Sequence, residues 1–199
     1  MVAYCLNNPV NYSDKVGKDA IWIQEESSAF TMGHTGLLVQ DSYGNWWYFY
    51  WGAADQGADL VKMITGTPAV CILESVDTSN TDLHNTSSIK MMLYQLAHNG
   101  NKMNDPFFAE QWNNISGTKY FYGDYSDTLE FLQDLQEKAN AGEVDYKLLE
   151  SNCCQLSCEA LGQSDQRFMS VPALVPNIAY VAYVRHFSPR SKSFTLLKG

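Results

Sequence analysis

The stretch "MGHTGLLVQDSYGNWWYFYWG", residues 32–52, constrains the fold more than any other part of the chain. Two runs rich in β-branched and aromatic residues flank "DSYGN", whose Asp, Ser, Gly and Asn are turn formers, so the segment reads as a β-hairpin. Such a pair cannot stand alone in water and needs more strands or a helix against it. "AIWIQEE" before it and "TKYFYGD" far downstream supply strands. "LVKMITGTPAVCILESV" adds two short strands broken at Gly66 and Pro68.

Helical spacing appears between these runs. In "TSSIKMMLYQLAHNG" the apolar residues Ile89, Met92, Leu93, Leu96 and Ala97 recur at three and four, and a glycine closes the segment. "SDTLEFLQDLQEKANAG" carries Leu129, Leu132, Leu135 and Ala139 on one face, with Ser126 or Asp127 as its cap. In "NCCQLSCEALG", Asn152 caps a helix that ends at Gly162. The valines, isoleucine and tyrosines of "NIAYVAYVRHF" favour a strand. Strands and helices mix without regular alternation, which predicts an α+β domain with an antiparallel sheet packed against helices. Residues 1–17 are turn-rich and read as a leader, leaving 18–199 as one domain.

Composition removes several functions. The net charge of −9 disfavours a nucleic-acid surface, because phosphate binding needs concentrated basic charge. No apolar run reaches the roughly 18 residues of a membrane span, and "MVAYCLNNPV" lacks the regions of a signal peptide. The five cysteines, Cys5, Cys71, Cys153, Cys154 and Cys158, are an odd set without a disulfide framework, so at least one thiol is free. Cys154 and Cys158 share a helix face, but no second pair and no suitably spaced histidine completes a zinc site. No metal and no cofactor is expected.

The chemistry-bearing candidates are a thiol and an imidazole. With Asn152 as cap, Cys153 is the first helical residue, where free amides and the helix dipole favour a thiolate. The competing reading is that Cys153, Cys154 and Cys158 only pack, as free cysteines often do. A nucleophile needs a base, and His34 is the best placed, between the small residues Gly33 and Gly36. His84 and His98 sit in polar turn-like contexts and His186 beside an arginine, which suits solvated or structural roles. An HNH-type nuclease around "LAHNGN" lacks a second ligand set. If the hairpin is symmetric about Tyr43, Gly36 faces Tyr50 and Leu38 faces Tyr48, which puts both tyrosines on the His34 face. Tyr50 is then the nearest polar neighbour of His34, and a one-residue bulge would turn both tyrosines away. Trp46, Trp47, Phe49 and Trp51 belong to the core and a groove wall, with Trp47 and Tyr48 the candidate substrate contacts. Asn152 and the Cys153 amide are the candidate oxyanion donors.

A Gly-His-Thr strand, "GNWWYFYWG" on the return arm, and "YKLLESNCCQL" with its cysteine 119 residues after the histidine together resemble the circularly permuted papain-like (NlpC/P60-like) superfamily. Permuted members place the histidine first and the Asn-Cys helix last. The resemblance covers roughly residues 20–162 and implies Cys153 as nucleophile and His34 as base, without establishing a third catalytic residue. Cys154 next to it is the alternative thiol. It implies a hydrolase or acyl-transfer enzyme acting on a peptide, protein or lipid acyl substrate; an inactive papain-like binding domain with an aromatic groove is the alternative.

A second resemblance lies in the leader. "YCLNNPVNYSDKVG" is similar to the end of the core of RHS-repeat proteins, with Lys15 in place of the proline of an Asp-Pro-x-Gly segment. It implies that the domain from about residue 18 is the C-terminal, toxin-like effector of a much larger secreted or surface-associated bacterial polypeptide, delivered into a target cell. On that reading Met1 is not the natural start, and a cognate immunity protein is a further implied partner.

Overall fold

The computed structural model describes residues 18–26, 33–54, 60–98, 114–172 and 175–188. The leader 1–17, Cys5 and most of the loop between the first two strands lie outside the described residues.

Six strands form one antiparallel sheet: β1 (Ala20–Glu25), β2 (His34–Gln40), β3 (Trp46–Ala53), β4 (Thr67–Val76), β5 (Ile115–Phe121) and β6 (Asp145–Tyr146), in the spatial order β5-β1-β2-β3-β4-β6. The helices are α1 (Leu60–Thr65), α2 (Thr86–His98), α3 (Ser126–Asn140), α4 (Cys153–Ser164) and α5 (Pro176–Ala182), with 3-10 turns at Gln166–Ser170 and Val184–His186. The chain is an α+β fold.

Both faces of the sheet are covered. On one, Trp22, Leu37, Val39, Phe49 and Trp51 meet Leu129, Leu132 and Leu135 of α3 and Leu156, Ala160 and Leu161 of α4. On the other, Ile21, Ile23, Leu38, Tyr48, Tyr50 and Ile72 meet Ile89, Met92 and Leu93 of α2. Covering both faces is why β1, β2 and β3 read as near-continuous apolar runs instead of alternating. Each fully buried leucine in the α3 stripe contributes about 1.5–3 kcal/mol.

The hairpin turns on Asp41, whose Oδ1 accepts from the amides of Tyr43 (2.8 Å) and Asn45 (2.9 Å), with Gly44 at φ +90°. Desolvation opposes ionisation of Asp41, but its hydrogen bonds from Asn45, Trp47 and Tyr43 win and hold the carboxyl below its ordinary range. The pairing Leu38–Tyr48 is the expected one, symmetric about Tyr43, and its continuation sets Gly36 beside Tyr50.

Four local expectations are corrected. Leu60–Thr65 is a helix, closed by Gly66 at φ +124°, and Thr67–Val76 is a single strand. Pro68 is tolerated because it stands at the strand start, where its carbonyl still accepts from Ala54 N (2.8 Å). The segment 176–186 is helical instead of extended: Pro176 presets the first helical turn, and burial of Ala179 and Val184 overrides β propensity. Helix α3 is not capped by Ser126 or Asp127. Tyr125 is the N-cap without a side-chain bond, while Asp124 Oδ1 accepts from Ser126 N (3.1 Å) and Oγ (2.7 Å). Helix α4 passes Gly162, where Met169 packs against the bare backbone, and ends at Ser164.

Candidate functional site

Asn152 caps α4 as its sequence predicts. Its Oδ1 accepts from Gln155 N (2.9 Å), and Gln155 Oε1 accepts in return from Asn152 N (3.1 Å), a closed capping box. The approach to the helix is fixed as well. Ser151 O accepts from Trp51 Nε1 (2.7 Å), Ser151 Oγ donates to Asp145 O (2.8 Å), and Asn152 Nδ2 donates to Leu148 O (2.8 Å). Cys153 therefore stands at the first helical position with a defined direction. Both ends of the Asn152 amide are engaged in this scaffold, so among the expected oxyanion donors the Cys153 backbone amide is the one not consumed by capping.

His34 opens β2, directly after Gly33 at φ +89°. A side chain at Gly33 would be strained there and would meet Gln24 Nε2 at 2.9 Å. Alternation along β2 sends His34, Gly36 and Leu38 to the α2 side and Thr35, Leu37 and Val39 to the α4 side. Thr35 links the halves. Its backbone N–H bonds the Cys153 sulfur and its side chain contacts Cys154. The residue next to His34 thus touches Cys153 across 118 residues of chain.

The tyrosines gather as expected. The His34 and Tyr50 rings lie 4.7 Å apart, tilted by 30°. Tyr48 fills the space left by Gly36, where a Cβ would stand 2.8 Å from its hydroxyl. Burial, then the neighbouring Tyr50, Glu25 and Cys153, pushes the Tyr48 hydroxyl well above its ordinary range. Trp47 does not join them. It lies at the turn end of β3 on the opposite face, half-buried, with Nε1 donating to Asp41 Oδ2 (3.1 Å).

Burial keeps both His34 and Cys153 neutral. His34 is 8% exposed and burial lowers its imidazole to about 3. Its Nε2 is buried with no hydrogen-bond partner among the described residues. Cys153 is 3% exposed, and burial pushes its thiol up to about 12 against the pull of the Thr35, Cys154 and Cys153 amides. At neutral pH the resting site holds a thiol and an uncharged imidazole.

Three site residues carried no readable sequence signal. Thr35 and Tyr146 sit in ordinary strand contexts, and the Tyr146 hydroxyl is raised by burial first and by Cys153 and Tyr50 after it. Glu25, 3% exposed, pairs directly across β1–β2 with His34. Its only trace is an acidic residue ending an apolar strand. Cys154 differs from its neighbour: a hydrogen bond with Cys158, then burial, raises it well above the ordinary thiol range. The four described cysteines are free thiols.

The other described imidazoles lie elsewhere. His84 lies against Tyr120 with ring centroids 4.4 Å apart and tilted by 30°, and His186 Nε2 accepts from Arg185 Nε (3.0 Å). Among the described residues no three His, Cys, Asp or Glu side chains converge as a metal site, and no helix is long and apolar enough to cross a membrane. No family model, curated protein or solved structure matches the chain.

Proposed function

We propose that the chain is a cysteine-dependent acyl-transfer or hydrolytic domain of the circularly permuted papain-like type, with Cys153 as nucleophile and His34 as base. The observation that carries this reading is the Thr35 amide on the Cys153 sulfur, which brings the His34 strand to the start of the capped helix. Because both groups rest neutral, deprotonation accompanies attack: His34 takes the thiol proton as the S–C bond to an amide or ester carbonyl forms. The oxyanion accepts from the Cys153 amide, the leaving group departs with the proton held by His34, and water or another acceptor releases the acyl group. Peptide or isopeptide cleavage, deamidation and lipid acyl transfer share this chemistry. The leader's likeness to an RHS core makes a toxin-like effector, paired with an immunity protein, the biological setting of this reading.

Product mass spectrometry on peptide, protein and acyl-lipid pools, with Cys153→Ala as the blank, tests the proposal. A mass change of substrate that depends on Cys153 and His34 supports it, and turnover retained in Cys153→Ala refutes it. One observation favours a second reading, an inactive binding module: the thiol is buried and protonated at rest. That reading expects the folded protein to resist alkylation at Cys153 and still to bind a partner through its aromatic hairpin.

A further inference from the structure

We infer that Glu25 is a positioning residue for His34, a buried carboxylate that orients the imidazole and supports its positive charge while Cys153 is deprotonated. The inference rests on the proposed Cys153–His34 chemistry and extends it to a residue on the strand preceding the histidine.

Three geometric observations converge on Glu25. It is the direct cross-strand partner of His34 in the β1–β2 ladder, and such partners project to the same face with their Cβ atoms about 4.5–5.5 Å apart. It is 3% exposed, so its side chain lies inside the fold beside the start of β2. The sheet is also irregular at this point: Gln24 pairs with Gly117 but Glu25 with Ile115, so Ser116 is an extra residue in β5. Bulges of this kind raise the local twist and re-aim side chains beside active sites.

The backbone around Glu25 is held from both sides. Gln24 Nε2 donates to Glu25 O (3.2 Å) and to Asn177 Oδ1 (2.8 Å), while Asn177 Nδ2 donates to Glu26 O (3.2 Å). The backbone that carries the Glu25 side chain is therefore fixed relative to β2. Among the described residues, the charged or titratable groups facing this corner are Glu25 on β1, Tyr48 and Tyr50 on β3, Tyr146 on β6, and Cys153 and Cys154 on α4. Glu25 is the carboxyl group among them, on the strand paired with His34. The same carboxylate repels a bare thiolate at Cys153, so its two influences on the reaction have opposite signs.

That opposition supplies the test. The pH profile of iodoacetamide alkylation at Cys153, read by tandem mass spectrometry of its peptide, is measured in the full chain and in Glu25→Gln, Glu25→Asp, His34→Gln and the Glu25→Gln/His34→Gln double variant, each checked by thermal melt. Acting through His34, Glu25→Gln slows alkylation at pH 7.5 about tenfold, the effect of one pK unit in a charged neighbour's support. Glu25→Asp, which keeps the charge but withdraws it by a methylene, falls between. In the His34→Gln background the same Glu25 change no longer slows the reaction and instead speeds it, because only thiolate repulsion is left.

An unchanged or faster rate in Glu25→Gln with His34 present overturns the inference and leaves the Cys153–His34 reading standing. Identical profiles in the parent and His34→Gln overturn that reading itself. If Glu25→Gln does not melt cooperatively, Glu25→Asp decides: a rate below the parent's supports the positioning role, and a rate at or above it refutes the role.

Discussion

Replacing His34 by glutamine should make the protein less sensitive to acid. In the unfolded chain the imidazole binds a proton below about pH 6.5, whereas burial in the folded site delays this to about 3. The folded-state value is depressed, so the unfolded state binds the extra proton between these limits. The stability tied to neutral His34 is therefore complete above about 6.5 and is lost as pH falls toward 3. The slope is about 1.36 kcal/mol per pH unit, so about 2.5 kcal/mol is lost between pH 6.5 and 4.5. For a chain of this size that equals roughly 5–10 °C in melting temperature. Glutamine has no such proton to bind.

Urea unfolding of both proteins from pH 7.5 to 4.5 isolates the effect, since carboxylates such as Asp41 and Asp124, held below their ordinary range in both, contribute a common background. The expected result is a difference curve flat above pH 6.5 that favours the variant progressively below it. Parallel loss of stability in the two proteins would refute the claim that His34 rests buried and neutral.

The alkaline limb should belong to Cys153, whose raised thiol stays protonated while the unfolded chain loses its proton above about 9; stability present below 9 is lost toward 12, and Cys153→Ala should blunt that loss in a pH series of melts. Asn152→Ala removes a capping box, and the change in urea midpoint should report about 1 kcal/mol of destabilisation together with slower Cys153 alkylation as the helix start loosens. Gly36→Ala sets a methyl 2.8 Å from the Tyr48 hydroxyl, and calorimetry should show a loss of about 1–3 kcal/mol as that ring is displaced.

The hairpin, the α3 stripe and the Asn152 cap were legible because each is specified by neighbours in sequence. The Asp41–Asn45 turn chemistry and the symmetry about Tyr43 set the Leu38–Tyr48 register without help from the rest of the fold. The same is true of Cys153's place at the helix start. Legibility failed where distant contacts decide. Pro176–Ala182 has the composition of a strand, but it packs as a helix across β1 and β5: Asn177 binds Gln24, and the Tyr180 hydroxyl covers Gly117 and donates to Thr118 O (3.2 Å). Trp47 and Tyr48 are adjacent letters, yet strand alternation sends one to the turn-end surface and the other to the site. Glu25 was hidden for the same reason. Only the β1–β2 pairing and the bulge opposite make a terminal acidic residue a neighbour of His34.

The bond between Gln24 and Asn177 spans 153 residues, and it sets the time at which the site can exist. At about 5–20 residues per second, a ribosome needs about 8–30 s after making Gln24 before it adds Asn177. Throughout that interval the histidine strand is present without Cys153 for most of the time, and afterwards without the helix that clamps the end of β1. Contacts of such long range also close slowly once the chain is free. A nascent chain therefore carries its histidine without the completed corner until synthesis has passed Asn177.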